Sequence, residues 1–314
     1  MSEAGGSVLA LSGGIGGAKL ALGLYRVLPP GALTVVANTG DDFEHLGLAV
    51  SPDLDTLLYT LAGIDNPATG WGRRDETWSF MAALERLGGD TWFKLGDGDL
   101  ATHIERTRRV AAGESLSQIT DDFRRRLGIS ARLLPMSDDP VRTQLLTAEG
   151  WLDFQDYFVR RQCAPIIREI AFAGASAARA HPDFLAALAD PALRIVVVCP
   201  SNPLISIDPI LSLPGVREAL RACRAPVVAV SPLIGGKAVK GPSAKMMAEL
   251  GLTVGAAAVA GHYRDFLDHY VVDDADAGAM AGFDLPVTET RTLMETLADR
   301  EALARVVLAA ARGF

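Results

Sequence analysis

Two stretches, Ile195-Val196-Val197-Val198-Cys199 and Pro226 to Val230, constrain this chain more than any other feature. Each is an uninterrupted apolar run, too short for a helix and rich in β-branched residues. The first ends at Pro200-Ser201-Asn202-Pro203 and the second at Ser231-Pro232. A strand with one face in water alternates polar and apolar residues. A run without alternation predicts a strand buried on both faces, as in a parallel sheet lying between two layers of helices.

The remaining elements follow that pattern. Ser7 to Leu11 reads as a first strand that enters the turn Gly13-Gly14-Ile15-Gly16-Gly17, and Ala18 to Leu28 as a helix stopped by Pro29-Pro30. Leu33 to Ala37 reads as a second strand, and Pro52 suits the first turn of a helix reaching about Leu61. Glu76 to Leu127 reads as largely helical, broken near Trp92 to Asp97. Ala131 to Leu134 and Tyr270 to Val272 read as further strands, and Thr292 to Ala311 as a closing helix. Thr143 to Phe154 has hairpin character, so a small inserted subdomain is expected at about 140–190. The expected fold is therefore one α/β unit over residues 1–314: three layers, with a mostly parallel central sheet. Hydrophobic residues make up 49% of the 314 and aromatics only 6%, so the core falls to Ala, Leu and Val.

Ligands in open parallel sheets bind beyond the carboxyl ends of the strands, and every strong polar cluster here falls at an expected strand end. Gly13, Gly14, Gly16, Gly17 and Lys19 form a glycine-rich turn opening a helix, suited to close approach of an anion. It lacks the Lys-Ser/Thr pair of a Walker loop. Asn38-Thr39-Gly40-Asp41-Asp42 and then Asp53 and Asp55 gather carboxylates near that turn. Such a set repels itself unless a cation sits in it, and Mg²⁺, which shares oxygen ligands with substrate phosphates, is the natural guest. Asp53 also reads as a plain first-turn helix residue.

Asp97 and Asp99 flank Gly98, with His103 one turn beyond Asp99. Asp99 fits either an N-cap or a ligand contact, and His103 an acid, a phosphate donor or a structural histidine. Ser137-Asp138-Asp139 reads as a turn or an active-site loop. Ser201 and Asn202, held between prolines, suit hydrogen bonds to a base, ribose or phosphate. Gly235 and Lys237 suggest a second loop with close backbone approach and a positive charge. Most acidic residues between Asp265 and Asp276 read as solvated or turn residues.

The net charge of −8 argues against a nucleic-acid partner. Cys163, Cys199 and Cys223 show neither CxxC nor metal-ligand spacing. Met1 to Ser7 is polar and glycine-rich, and no stretch approaches the ~20 apolar residues of a membrane span. The expectation is a cytoplasmic chain without a membrane partner.

Eight motifs occur in a telling order: GGIGGAKL from Gly13, NTGDD from Asn38, SPDLDT from Ser51, WGRRDETW from Trp71, LGDGDLATH from Leu95, LLPMSDD from Leu133, PSNPLISI from Pro200 and SPLIGGK from Ser231. The set resembles the 2-phospho-L-lactate transferase family of deazaflavin-coenzyme biosynthesis, over nearly the whole chain. The resemblance implies a Rossmann-like fold, a homodimer and Mg²⁺ as cofactor. It also implies transfer of a phospholactyl, phosphoenolpyruvyl or phosphoglyceryl group from a guanosine diphosphate conjugate to the deazaflavin Fo, with release of GMP. Carried across, it makes Asp55 the first choice for metal or Fo contact and Asp53 the second, with Asp41 and Asp42 as further metal ligands. The Gly13–Gly17 turn and the Ser201-Asn202 loop would hold the diphosphate and guanosine. Many members of the family carry an arginine where this chain has Gly98, which turns attention to Arg73, Arg74 or Lys237 as the replacement base. Two competing readings are a non-enzymatic nucleotide-sugar-binding regulator of the same fold and a nicotinamide-dependent oxidoreductase using Asp41 on the ribose. The WGRRDETW stretch favours the transferase.

Overall fold

The computed structural model describes residues 6–239 and 241–311. Seven strands form a central sheet: β1 (Ser7–Ser12), β2 (Leu33–Ala37), β3 (Arg132–Pro135), β4 (Leu193–Val198), β5 (Val227–Val230), β6 (His269–Asp273) and β7 (Val287–Thr290). They lie in the order β7-β6-β5-β4-β1-β2-β3, and every pairing is parallel. From β3 to β6 this is the dinucleotide-binding order of doubly wound sheets. The chain leaves β1 for β2 on one side and comes back to β4 on the other. The loops after β1 and β4 therefore diverge and leave a crevice at their carboxyl ends.

Alternate residues of the buried strands serve opposite faces. Val8 and Ala10 of β1 pack with Leu20 and Leu24 in one apolar cluster, while Leu9 and Leu11 belong to another with Val196 and Val198. Helix α1 (Gly14–Val27) and the last long helix lie on the first side. A Cβ on Gly23 would stand 2.1 Å from the carbonyl oxygen of Arg300, so only glycine lets these two helices cross so closely. Between β3 and β4, strands Arg142–Thr147, Gly150–Asp153 and Glu169–Ala173 form a separate antiparallel sheet. Its buried residues Leu145 and Leu152, with Phe154 and Tyr157, join the cluster of Leu9 and Leu11 on the second side.

Three elements depart from expectation. Helix α1 starts at Gly14, so the glycine turn is largely its first turn. The closing helix starts at Leu297, capped by the reciprocal Thr296–Asp299 pair, and Thr292 to Met294 run instead as a loop. Strand β7 was not expected at all. Gly235-Gly236 is the turn of a hairpin between Leu233–Ile234 and Lys237–Ala238. Both glycines have positive φ, as a two-residue hairpin turn requires, and their N–H groups donate to Asp276 at 2.9 Å.

Candidate functional site

The ends of β1, β4 and β5 open into one cavity of about 800 Å³, well within the range of small-molecule sites. Its polar end is built on the start of α1. Gly13, the residue before the helix, has no side chain to cap it. The Gly13 N–H donates to Ser201 Oγ (3.1 Å), which donates back to the Gly13 carbonyl (2.7 Å). The Gly14 N–H donates to Asp53 Oδ1 at 2.7 Å. The amides of Ile15 and Gly16, also on the cavity wall, have no intrahelical acceptor and remain for an anion. Three of the four glycines are fixed by packing. Added Cβ atoms would stand 2.7 Å from Ser206 Cβ at Gly13, 2.5 Å from the Pro200 oxygen at Gly16, and 2.4 Å from Ser12 Oγ at Gly17. Only Gly14 has positive φ. Lys19 lines the cavity and donates to the Met294 carbonyl at 2.7 Å. Asn202 does so too; its Oδ1 accepts from the Leu204 N–H, and its Nδ2 faces Met246 Sδ at 3.8 Å.

Helix α2 (Pro52–Ala62) brings Asp53 and Asp55 to the wall, and the loop after β2 brings Asp41. Asp53 also accepts from Asn38 Nδ2 at 3.0 Å. Burial pushes its carboxyl up to about 6 against the pull of those two hydrogen bonds. Burial first, and the Asp53 charge next, hold Asp41 well above the usual carboxylate range. Asp41 Oδ1 and Asp42 Oδ1 are buried and have no hydrogen-bond partner among the described residues. Asp42 lies behind the wall, accepting from Ser51 Oγ at 2.8 Å, and burial pushes it up to about 7.

Among the described residues no three His, Cys, Asp or Glu side chains form a ready-made metal cage. Mg²⁺ does not need one, because it takes one or two carboxylates and completes its shell with water and phosphate oxygens. Asp41, with an unpartnered oxygen and the repelling charge of Asp53 beside it, fits that pattern, and Asp53, whose two oxygens accept from neutral Gly14 and Asn38 donors, can share the cation. Asp55 fits it less well than the sequence suggested. Arg106 occupies both its oxygens, Nη1 on Oδ2 at 3.0 Å and Nη2 on Oδ1. Asp42, the third expected ligand, does not reach the cavity surface.

Helix α3 (Asp97–Ala111) supplies Asp99 and His103 to the wall. Asp99 accepts from Tyr59 Oη at 2.6 Å, and its Oδ2 lies 3.2 Å from His103 Nε2. Burial opposes the Asp99 charge, yet His103 and Tyr59 outweigh it and hold the carboxyl below its ordinary range. Asp97 is a correction. It accepts from Thr77 Oγ1 and from the N–H groups of Ser79 and Phe80, so it ties down the start of a neighbouring helix and does not line the cavity. Gly235 and Lys237 are corrections too, since the hairpin turn explains the glycine and the exposed lysine lies off the cavity. Asp138 and Asp139 bind Ser117 and Arg179, which makes their loop a structural tie. Of the bases considered for Gly98, Arg73 is the one against it: Nη1 donates to the Gly98 carbonyl at 3.2 Å, and Cζ lies 5.8 Å from the Tyr59 ring centre.

The cavity also has an aromatic lining, and sequence reasoning missed it. Trp71, Trp92, Phe93, Phe154 and Phe158 line it, the last two stacked at 5.3 Å and 15°. The loop Thr292 to Met294 closes the polar side. It is anchored where the Thr292 N–H and Oγ1 donate to Asp273 at 2.7 and 2.8 Å.

A doubly wound sheet with helix N-terminal amides and buried carboxylates at its switch point places this chain among the α/β proteins that bind ligands at the carboxyl ends of their strands. A family model described as 2-phospho-L-lactate transferase CofD matches residues 8–305. A phosphoenolpyruvate transferase of Kitasatospora aureofaciens is 43% identical, covering 97% of both chains. A 2-phospho-L-lactate transferase of Methanosarcina mazei is 39% identical over 96% of this chain and all of its own. This chain belongs to the 2-phospho-L-lactate transferase family, enzymes that transfer a phosphoalkyl group. A solved structure of a UPF0052 family protein from Bacillus halodurans, 13% identical, shares the fold with a TM-score of 0.65 over 98% of this chain and 100% of that one. Among the described residues no helix is long and apolar enough to cross a membrane.

Proposed function

We propose that this chain moves a phospholactyl-type group (2-phospholactate, phosphoenolpyruvate or 3-phosphoglycerate) from a guanosine diphosphate conjugate to the deazaflavin Fo, releasing GMP and forming a coenzyme F420-0 precursor. The observation that carries this reading is one cavity of about 800 Å³ lined both by the start of α1 with its neighbouring carboxylates and by five aromatic side chains. A diphosphate suits the first set and a planar tricyclic ring the second.

In the step itself, the ribityl hydroxyl oxygen attacks the phosphorus that bears the three-carbon acid. The bond from that phosphorus to the bridging oxygen breaks, and the oxygen leaves with GMP. Such transfer asks mainly for alignment and charge neutralisation. The Ile15 and Gly16 amides supply fixed donors to the diphosphate, and Lys19 places a positive charge beside them. Mg²⁺ held by Asp41 and Asp53 would neutralise the remaining phosphate charge. The hydroxyl proton is lost late in a loose transition state, so a wall carboxylate such as Asp99 suffices to take it. Stacking on Trp71 or Trp92 would hold the acceptor ring while its side chain reaches toward α1.

Titration with guanosine, adenosine and uridine diphosphates while following the melting temperature tests the donor half. The guanosine nucleotide should raise it most, and Asn202→Ala, which removes a donor from the wall, should shrink that preference. A preference for the uridine nucleotide would favour a nucleotide-sugar-binding regulator, and equal shifts would mean that only the phosphates are held.

A further inference from the structure

Arg106 is the largest fully buried side chain, 1% exposed. Burying a guanidinium is costly, and a single ion pair repays that cost poorly, so its presence is weak evidence for stability. Its contacts suggest another reason. Beyond the two bonds to Asp55, Nη1 lies 3.4 Å from the Ala49 carbonyl and 3.3 Å from His103 Nδ1. Nε has no hydrogen-bond partner among the described residues. A guanidinium can only donate. Where that Nη1–Nδ1 contact is a hydrogen bond, His103 Nδ1, which also lies 3.7 Å from Asp55 Oδ2, is the acceptor, and the imidazole proton sits on Nε2, facing Asp99 Oδ2 at 3.2 Å. Asp55, Asp99 and His103 all lie on the cavity wall, whereas Arg106 lies behind it.

We propose that Arg106 is a positioning residue for the transfer reaction: it holds Asp55 by both carboxylate oxygens and fixes His103 as the Nε2–H tautomer, so that the buried imidazole N–H faces Asp99 Oδ2 and steadies that wall carboxylate. The role in transfer rests on the function proposed above; the tautomer does not. The planar fork of arginine spans Asp55 and His103 at once. A lysine ammonium keeps the charge but cannot span both.

Arg106→Lys tests this. It should fold, with kcat down roughly ten- to hundredfold, the usual cost of disturbing a group that orients a functional side chain. KM for the guanosine conjugate should hold, because the α1 amides are untouched. The second readout needs no activity. A long-range ¹H–¹⁵N spectrum of histidine-labelled protein resolves the 5 histidines, and His103→Asn identifies the signal. The parent should show His103 protonated on Nε2, and Arg106→Lys should lose that pattern. An Nδ1–H tautomer in the parent, or an unchanged kcat in folded Arg106→Lys, would overturn the proposal. If the parent gives no turnover but the tautomer pattern holds and Arg106→Lys breaks it, the positioning stands and the transfer reading fails.

Discussion

Asp42 offers a way to read the site's electrostatics through stability. The residue is 7% exposed, with Oδ2 on Ser51 and Oδ1 without a partner among the described residues. Burial raises its pKa from 3.8 to about 7. In the unfolded chain the same group releases its proton near pH 4. Between those values the native state holds a proton that the unfolded state has lost, so stability falls as pH rises and the loss is complete above pH 7. From pH 5 to pH 8 the fall spans about 2 pH units, or about 3 kcal/mol at ~1.36 kcal/mol per unit. Asp42→Asn is neutral throughout and should lack this component. Urea unfolding at pH 5 and pH 8, with chelator to keep divalent cations away, should show the variant gaining about 3 kcal/mol on the parent across the interval. Any constant penalty from the new amide cancels in that difference. A gap between the two proteins that stays the same at both pH values would refute the reasoning.

Gly17→Ala puts a methyl 2.4 Å from Ser12 Oγ and 2.5 Å from Ser201 Oγ; unfolding free energy should drop by about 1–3 kcal/mol, and an unchanged value would mean that the β1 and β4 loops can part freely. Asp55→Asn leaves the Arg106 guanidinium buried without its counter-charge. Denaturation should show a loss of roughly 3–5 kcal/mol, and a variant as stable as the parent would count against the ion pair.

The parts legible in sequence were those governed by neighbours along the chain. The Ile195–Cys199 and Pro226–Val230 runs revealed buried strands because burial on both faces removes all alternation. Strand β7, Val-Thr-Glu-Thr, lies at the sheet edge with no residue fully buried, so it carries no such signal. The Gly13–Gly17 cluster was recognisable as a strand-to-helix junction, but its packing reason depends on Pro200 and Ser201, which are remote in sequence. Gly235-Gly236-Lys237 looked similar and is a hairpin turn, a difference set by Asp276. Asp97 and Asp99 appeared equivalent, yet two residues on a helix point about 200° apart, so only Asp99 meets the cavity. Arg106 could not be singled out among the arginines of α3, since its partner Asp55 is 51 residues away.

Incubating the protein with Fo, Mg²⁺ and each guanosine diphosphate conjugate in turn, then determining product masses, asks directly whether donor and acceptor are joined in one reaction. The expected result is one molecule of GMP released for each Fo that gains a phosphodiester-linked three-carbon acid, with one conjugate preferred. Conjugate left intact, or GMP formed by hydrolysis while Fo keeps its mass, would contradict transfer to the deazaflavin.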